Sequence, residues 1–183
     1  MLLTDNAATL PMSKRERRNL QKERKLQKRH RELRSRRIFI VDIENVVGGA
    51  VRTPDMVAWA RFILKMKLGL NESDQVVIAA SHIGQSSIKK EWGSARLLVK
   101  SGQDGADLAI VESLSTESYA ERYGEIILVS GDGIFAELVG QLRAQGVIVT
   151  VAGWQGRTAT RLKFAASETK YLDAAKPKEM EVA

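Results

Sequence analysis

Three aspartates in this chain stand where a carboxylate is costly unless it meets water, a partner or a cation. Asp42 follows the apolar run Ile38-Phe39-Ile40-Val41 and opens the polar stretch Asp42-Ile43-Glu44-Asn45. Asp132 lies in Ser130-Gly131-Asp132-Gly133-Ile134-Phe135, directly after a second apolar run, Ile126-Ile127-Leu128-Val129. Phe135, Leu138, Val139 and Leu142 then recur at helical spacing, which sets Asp132 on a strand-to-helix turn. Asp107, in Gly105-Ala106-Asp107-Leu108, stands near the start of another predicted helix. Strand carboxyl ends in open α/β sheets are where ligands collect. An all-oxygen donor set suits Mg2+ or Mn2+ rather than zinc, and such an ion polarises a phosphodiester and lowers the pKa of an attacking water.

Each acid also has a plainer explanation. Asp107 fits a helix-start acid favoured by the macrodipole, and Asp132 fits an N-cap after a glycine-rich turn. Asp42 has the fewest structural duties on this accounting. Together the three favour a site, provided that the strands ending at Asp42 and Asp132 are neighbours, which spacing alone does not show.

The elements that must position these residues alternate between strand and helix. Thr53-Pro54-Asp55 supplies an N-cap, a first-turn proline and a first-turn acid, and Val57, Ala60, Leu64 and Leu68 continue that helix to Gly69. Gln75 to Ala80 reads as a strand, Ser86 to Trp92 as a short helix or turn, and Ala95 to Val99 as a strand. A helix over Ala106 to Leu114, a strand over 125–129, a helix over 133–144 and a strand from Val147 to Val151 follow. Arg157 to Ala166 completes the helices, with an edge strand at Lys170 to Leu172. The alternation predicts an α/β three-layer sandwich, with a mainly parallel sheet of about five strands covered on both faces.

Charge divides the chain. Residues 12 to 37 carry 13 Lys and Arg against three Glu, a local charge of +10, whereas the 146 residues from Ile38 onward net −2. Residues 1–12 are expected to be a disordered N-terminus, 13–37 a basic, helical arm, 38–173 the domain and 174–183 a flexible tail. The arm's cations Lys14, Arg15, Arg17, Arg18, Lys22, Arg24, Lys25, Lys28, Arg29, Arg31, Arg34, Arg36 and Arg37 are candidates for phosphate contacts, which position a nucleic acid without reading its sequence. Arg157 and Arg161, with Lys163, are further candidates near the acids. The arm has no aromatic residue, so stacking on bases is not its task. The plainer alternatives are a solvated helix or a tail for an acidic protein.

The absence of cysteine excludes disulfides and thiolate metal sites. No apolar run approaches the roughly 20 residues of a membrane span, and the first residues do not resemble a signal peptide. These features predict a cytoplasmic protein. Trp59 is expected in the core and Trp92 over the sheet edge; Trp154 is expected to anchor its loop, with base stacking as the alternative. His82 is expected to be structural, since metal-assisted hydrolysis needs no imidazole base.

Val41-Asp42-Ile43-Glu44-Asn45, Gly105-Ala106-Asp107 and Ser130-Gly131-Asp132-Gly133-Ile134-Phe135, in that order, resemble the NYN domain, a branch of the PIN-like nucleases. The likeness is strongest to LabA-like, actinobacterial-type members and covers about residues 37 to 173. The resemblance implies a Rossmann-like fold with strand order 3-2-1-4-5, which sets the strands of Asp42 and Asp132 side by side. It implies that Asp42, Asp107 and Asp132 hold Mg2+ or Mn2+, that Asn45 orients a water or phosphate with Glu44 in support, and that the activity is endonucleolytic cleavage of RNA. Ile134 departs from the family pattern, which often has a second acid there; Glu44 or Asp104 is the substitute, and Glu112 lies too far along its helix. That departure sustains a rival, an RNA-binding adaptor without catalysis. A small-molecule phosphohydrolase ranks third because it leaves the arm idle.

Overall fold

The computed structural model describes residues 12–102 and 104–173. The expected disordered start and flexible tail therefore lie outside the described residues, Met12 and Asp173 marking the limits.

Six strands account for most of the apolar runs: β1 (Arg37–Asp42), β2 (Gln75–Ala80), β3 (Arg96–Val99), β4 (Glu125–Val129), β5 (Ile148–Gly153) and β6 (Glu168–Tyr171). All neighbours pair in parallel, in the order β3-β2-β1-β4-β5-β6, so β6 extends the expected five-strand order by one edge. A strand buried on both faces reads as a continuous apolar run, and its alternate residues belong to opposite cores. Phe39 and Val41 of β1 pack into one cluster, Ile38 and Ile40 into the other. The first is closed by α2 (Ile43–Val47), α3 (Pro54–Leu68) and α4 (Gln85–Glu91), and the second by α5 (Gly105–Thr116), α6 (Tyr119–Arg122), α7 (Ala136–Ala144) and α8 (Thr160–Ala165). These are the three layers that the alternation predicts.

Helix limits follow local chemistry. The Thr53 hydroxyl accepts from the Met56 N–H, Pro54 takes the first helical position, and Gly69 closes α3 at φ 66°. The one-turn α2 and α6 are not anticipated by periodicity, and α8 is shorter than the expected Arg157 to Ala166.

The arm's helix, α1 (Lys14–Arg34), precedes the layered domain. Ser13 and Glu16 form a reciprocal capping box: Glu16 Oε2 accepts from the Ser13 N–H at 2.7 Å, and Ser13 Oγ from the Glu16 N–H at 3.2 Å. The arm cations from Lys14 to Arg31 are exposed, while the side chain of Arg34 lies outside the described residues. No described helix is long and apolar enough to cross a membrane.

The last two arginines of the basic run meet the body. Arg36 lies over the Tyr123 ring at 5.0 Å. Arg37 is in β1, donates from Nε and Nη2 to both oxygens of Asp74 (2.9 and 2.6 Å), and from Nη2 to the Gly69 carbonyl. Replacing the guanidinium strands a buried Asp74, so Arg37→Met is expected to destabilise the protein by about 2 kcal/mol in urea unfolding. The same change at exposed Arg24 is expected to stay within about 0.5 kcal/mol. Equal effects would show that Arg37 belongs energetically to the arm.

Candidate functional site

Val41 pairs with Val129, so the next residues, Asp42 and Ser130, leave the sheet side by side where the strand order reverses. Asp42 is only 5% exposed. Its Oδ1 accepts from the Asn45 N–H at 3.1 Å, capping α2, and its Oδ2 accepts from the fully buried Ser130 hydroxyl at 3.2 Å. The same Ser130 oxygen accepts from the Asp132 N–H at 3.2 Å, which ties the two aspartates through one hydroxyl. Asp132 is exposed and caps the 3-10 turn Gly133–Phe135, accepting from the Ile134 N–H at 2.8 Å. The plain reading of Asp132 as a cap therefore holds, and Asp42, expected to have few structural duties, has one.

Asp107 has no such duty. It is the third residue of α5, whose cap position belongs to Asp104 in the left-handed region at φ 57°. Asp104 makes no side-chain cap bond and is exposed. The Asp107 Oδ1 is buried and receives no hydrogen bond. What faces it is the carboxylate of Asp42, a partner only while a proton or cation lies between them. Burial pushes the Asp107 carboxyl up to about 7, and the charges of Asp42, Asp132 and Asp104 add to the shift. Burial likewise pushes Asp42 up to about 6, against the Asn45 and Ser130 bonds, with the Glu44 charge raising it further.

Among the described residues no three His, Cys, Asp or Glu side chains stand in ready-made ligating geometry. The chemistry of the donors still fits a hard divalent ion: every candidate atom is a carboxylate oxygen, and the orphaned Asp107 Oδ1 lacks a positive partner.

The other predicted residues divide between scaffold and cleft. Glu44 Oε1 accepts from the Ser81 N–H (3.2 Å) and hydroxyl (2.5 Å), binding α2 to the end of β2. The Asn45 Oδ1 accepts from the Gly131 N–H at 3.3 Å, and its carbonyl from Trp154 Nε1 at 3.2 Å. Trp154 stacks on Trp59 with centroids 6.1 Å apart, so it anchors its loop as expected. Trp92 is buried, His82 is exposed, and Glu112 pairs with Lys100 at 3.1 Å. Asn45, Asp132 and Arg157 line an open cleft of about 410 Å³. A Cβ on Gly131 would meet the Arg157 carbonyl at 2.7 Å, and one on Gly133 would strike the Arg161 guanidinium, so both glycines permit close approach beside Asp132. Ser130 and Ser81 are the functional-site residues that sequence reasoning missed. Ser130 stands inside the motif already singled out, but its bond to Asp42 depends on strand pairing.

A family model described as NYN domain matches residues 39–173. No curated protein matches the chain. Among solved structures, a Vibrio parahaemolyticus protein of unknown function is similar, at 20% identity, with a TM-score of 0.53 over 75% of this chain and 93% of that one. At that identity the likeness shows the fold.

Folded Asp42 and Asp107 keep protons that the unfolded chain, with carboxyls near 3.8, has released. Their contribution to stability is full below that value and is lost as pH rises through about 6 and about 7. Metal-free protein is therefore expected to melt at falling temperature between about pH 5 and about pH 8, with Mg2+ or Mn2+ restoring several degrees only at the upper end. Asp107→Asn is expected to flatten the slope and remove the metal-induced shift. A melting profile indifferent to both pH and metal in the unsubstituted protein would rule out the crowded-carboxylate account.

Proposed function

The chain belongs to the NYN domain family, and on that premise we propose that it is a metal-dependent ribonuclease cutting within RNA strands, recruited to them by its basic arm. The observation that carries this reading is the buried, unpartnered Asp107 oxygen facing Asp42 within the field of Asp132 and Asp104. The family membership supports a PIN-like nuclease type, and the oxygen-only donors favour Mg2+ or Mn2+.

Asp42, Asp107 and Asp132 would hold the ion, which when bound supplies Lewis-acid polarisation of a phosphodiester and a more acidic water. Asp104 takes the place of the acid missing at Ile134, because Glu44 is already committed to Ser81. Asn45 is fixed by the Gly131 and Trp154 N–H groups and presents its amide to the cleft, where it orients a phosphate or water. Arg157 offers a cation in the same cleft.

The arm joins the body at the amino end of β1, whereas the acids gather at its carboxyl end. Six residues of strand separate the two by about 20 Å. RNA held by the arm must span that distance, so short oligonucleotides gain little from it.

A mixed RNA panel incubated at low salt with Mg2+ or Mn2+ tests the reading. The wild type is expected to cut, and Asp107→Asn, which keeps the shape and removes the charge, to lose at least about a hundredfold in rate. Salt-sensitive binding without cutting under any metal would establish the adaptor, a reading favoured by Ile134.

Deleting residues 1–35 is expected to raise KM for long RNA about tenfold or more at low salt, with kcat little changed. Activity on a small phosphate ester that is indifferent to the deletion would instead identify the phosphohydrolase.

A further inference from the structure

Resting on the RNA reading above, we propose that α8 is a track for single-stranded RNA leaving the acidic cleft, on which Arg161 holds a backbone phosphate and Phe164 stacks on a base. Phe164 is 81% exposed, the most exposed large apolar side chain among the described residues. Such exposure on a loose segment would mean little, but α8 is fixed on several sides. Leu162 is fully buried in the second core, the Ala165 carbonyl accepts from Arg143 at 2.9 Å, and the Ala159 N–H donates to the Gly131 carbonyl at 2.9 Å. Phe164 is two positions from Leu162, so it points away from the core that holds its helix. The ring is held out to solvent on a rigid platform.

The neighbours of that ring specify the occupant. Arg161 precedes Phe164 by three residues, which makes them neighbours on the helix surface about 4.5 Å apart along the axis. The Arg161 guanidinium lies against Gly133, the residue after Asp132. The order outward from the cleft is therefore acid, cation, aromatic. A backbone cation followed by an exposed ring is what a single strand requires, since its bases are free to stack, whereas a duplex hides their faces. A protein partner would call for contiguous apolar surface, and here Arg161 and Lys163 flank the ring instead. Trp154, just after the end of β5, is occupied by Trp59 and Asn45. The arm offers charge alone, so α8 is the element that distinguishes single strands from duplexes.

The test uses the full chain carrying Asp132→Asn in Mg2+, so that substrate survives, with a labelled single-stranded oligoribonucleotide and the matching duplex. Phe164→Ala is expected to weaken single-strand binding about tenfold and leave duplex binding unchanged. Phe164→Tyr is expected to retain affinity, and Phe164→Leu, which keeps apolar bulk without a ring face, to lose it. Unchanged single-strand affinity in Phe164→Ala would overturn the track, as would an equal loss for both RNAs. So would a sedimentation change from dimer to monomer, which would make Phe164 an interface between copies. Cleavage is scored separately with Asp132 intact. Cutting together with Phe164-indifferent binding sinks the track alone; Phe164-dependent binding without any cutting sinks the nuclease reading and keeps the track.

Discussion

Removing the Asp42 carboxylate from water costs several kcal/mol unless partners compensate, and the surrounding chain is organised around supplying them. One oxygen takes the Asn45 N–H, which starts α2, and the other takes the Ser130 hydroxyl, which joins β1 to the loop after β4. Those donors lower the pKa of Asp42, yet burial still dominates and holds it near 6. Asp107 arrives from the opposite layer with no donor of its own. Its carboxyl is a partner for Asp42 while it keeps its proton and a repelling charge once it loses it. Local capping alone would not put Asp107 there, since a helix-start acid gains the macrodipole benefit equally well at an exposed position.

The distribution of positive charge follows from the same constraint. Lysines and arginines packed among the acids would neutralise them and compete with a metal for their oxygens. In this chain the large excess of cations is instead carried by a solvated helix rooted at the far end of β1, and its last member, Arg37, is held by Asp74 rather than by the site. The sheet acts as a spacer between a cationic element and an acidic centre. Long-range attraction between charges weakens steeply with salt where they are in solvent, as the arm cations from Lys14 to Arg31 are.

Much of this arrangement was legible in the residues, and the exceptions have physical reasons. β1 and β4 announce themselves because both faces are buried, and α3 because Thr53, Pro54 and Gly69 mark its ends. Strand order is a matter of non-local pairing that no spacing encodes; the family resemblance carried it, and the pairing of Val41 with Val129 agrees. Ile43, Val46 and Val47 form one turn, too short for a helical period to separate from the end of a strand, so α2 went unseen and with it the cap on Asp42. Asp42, expected to have the fewest structural duties, is well partnered, whereas Asp107, which the sequence leaves open between a helix-start acid and a metal ligand, is the one without a donor. Its isolation depends on residues brought together only by the fold. Arg37 was grouped with the arm because charge runs ignore where a strand begins.

The glycines on either side of Asp132 show how closely α8 approaches the acids. Gly131 lets the Arg157 carbonyl approach, and its own carbonyl accepts from the Ala159 N–H just before α8. Gly133 lets the Arg161 guanidinium lie on the backbone of the capped turn. A side chain at Gly131 would meet the Arg157 and Thr158 backbone and push the approach to α8 away from the acids, whereas one at Gly133 would meet only the end of the Arg161 side chain. The turn that carries Asp132 and the entry to α8 are thus joined through backbone. Asp132 and Arg161 lie on different elements in the sequence, and the Ala159–Gly131 backbone bond holds those elements together.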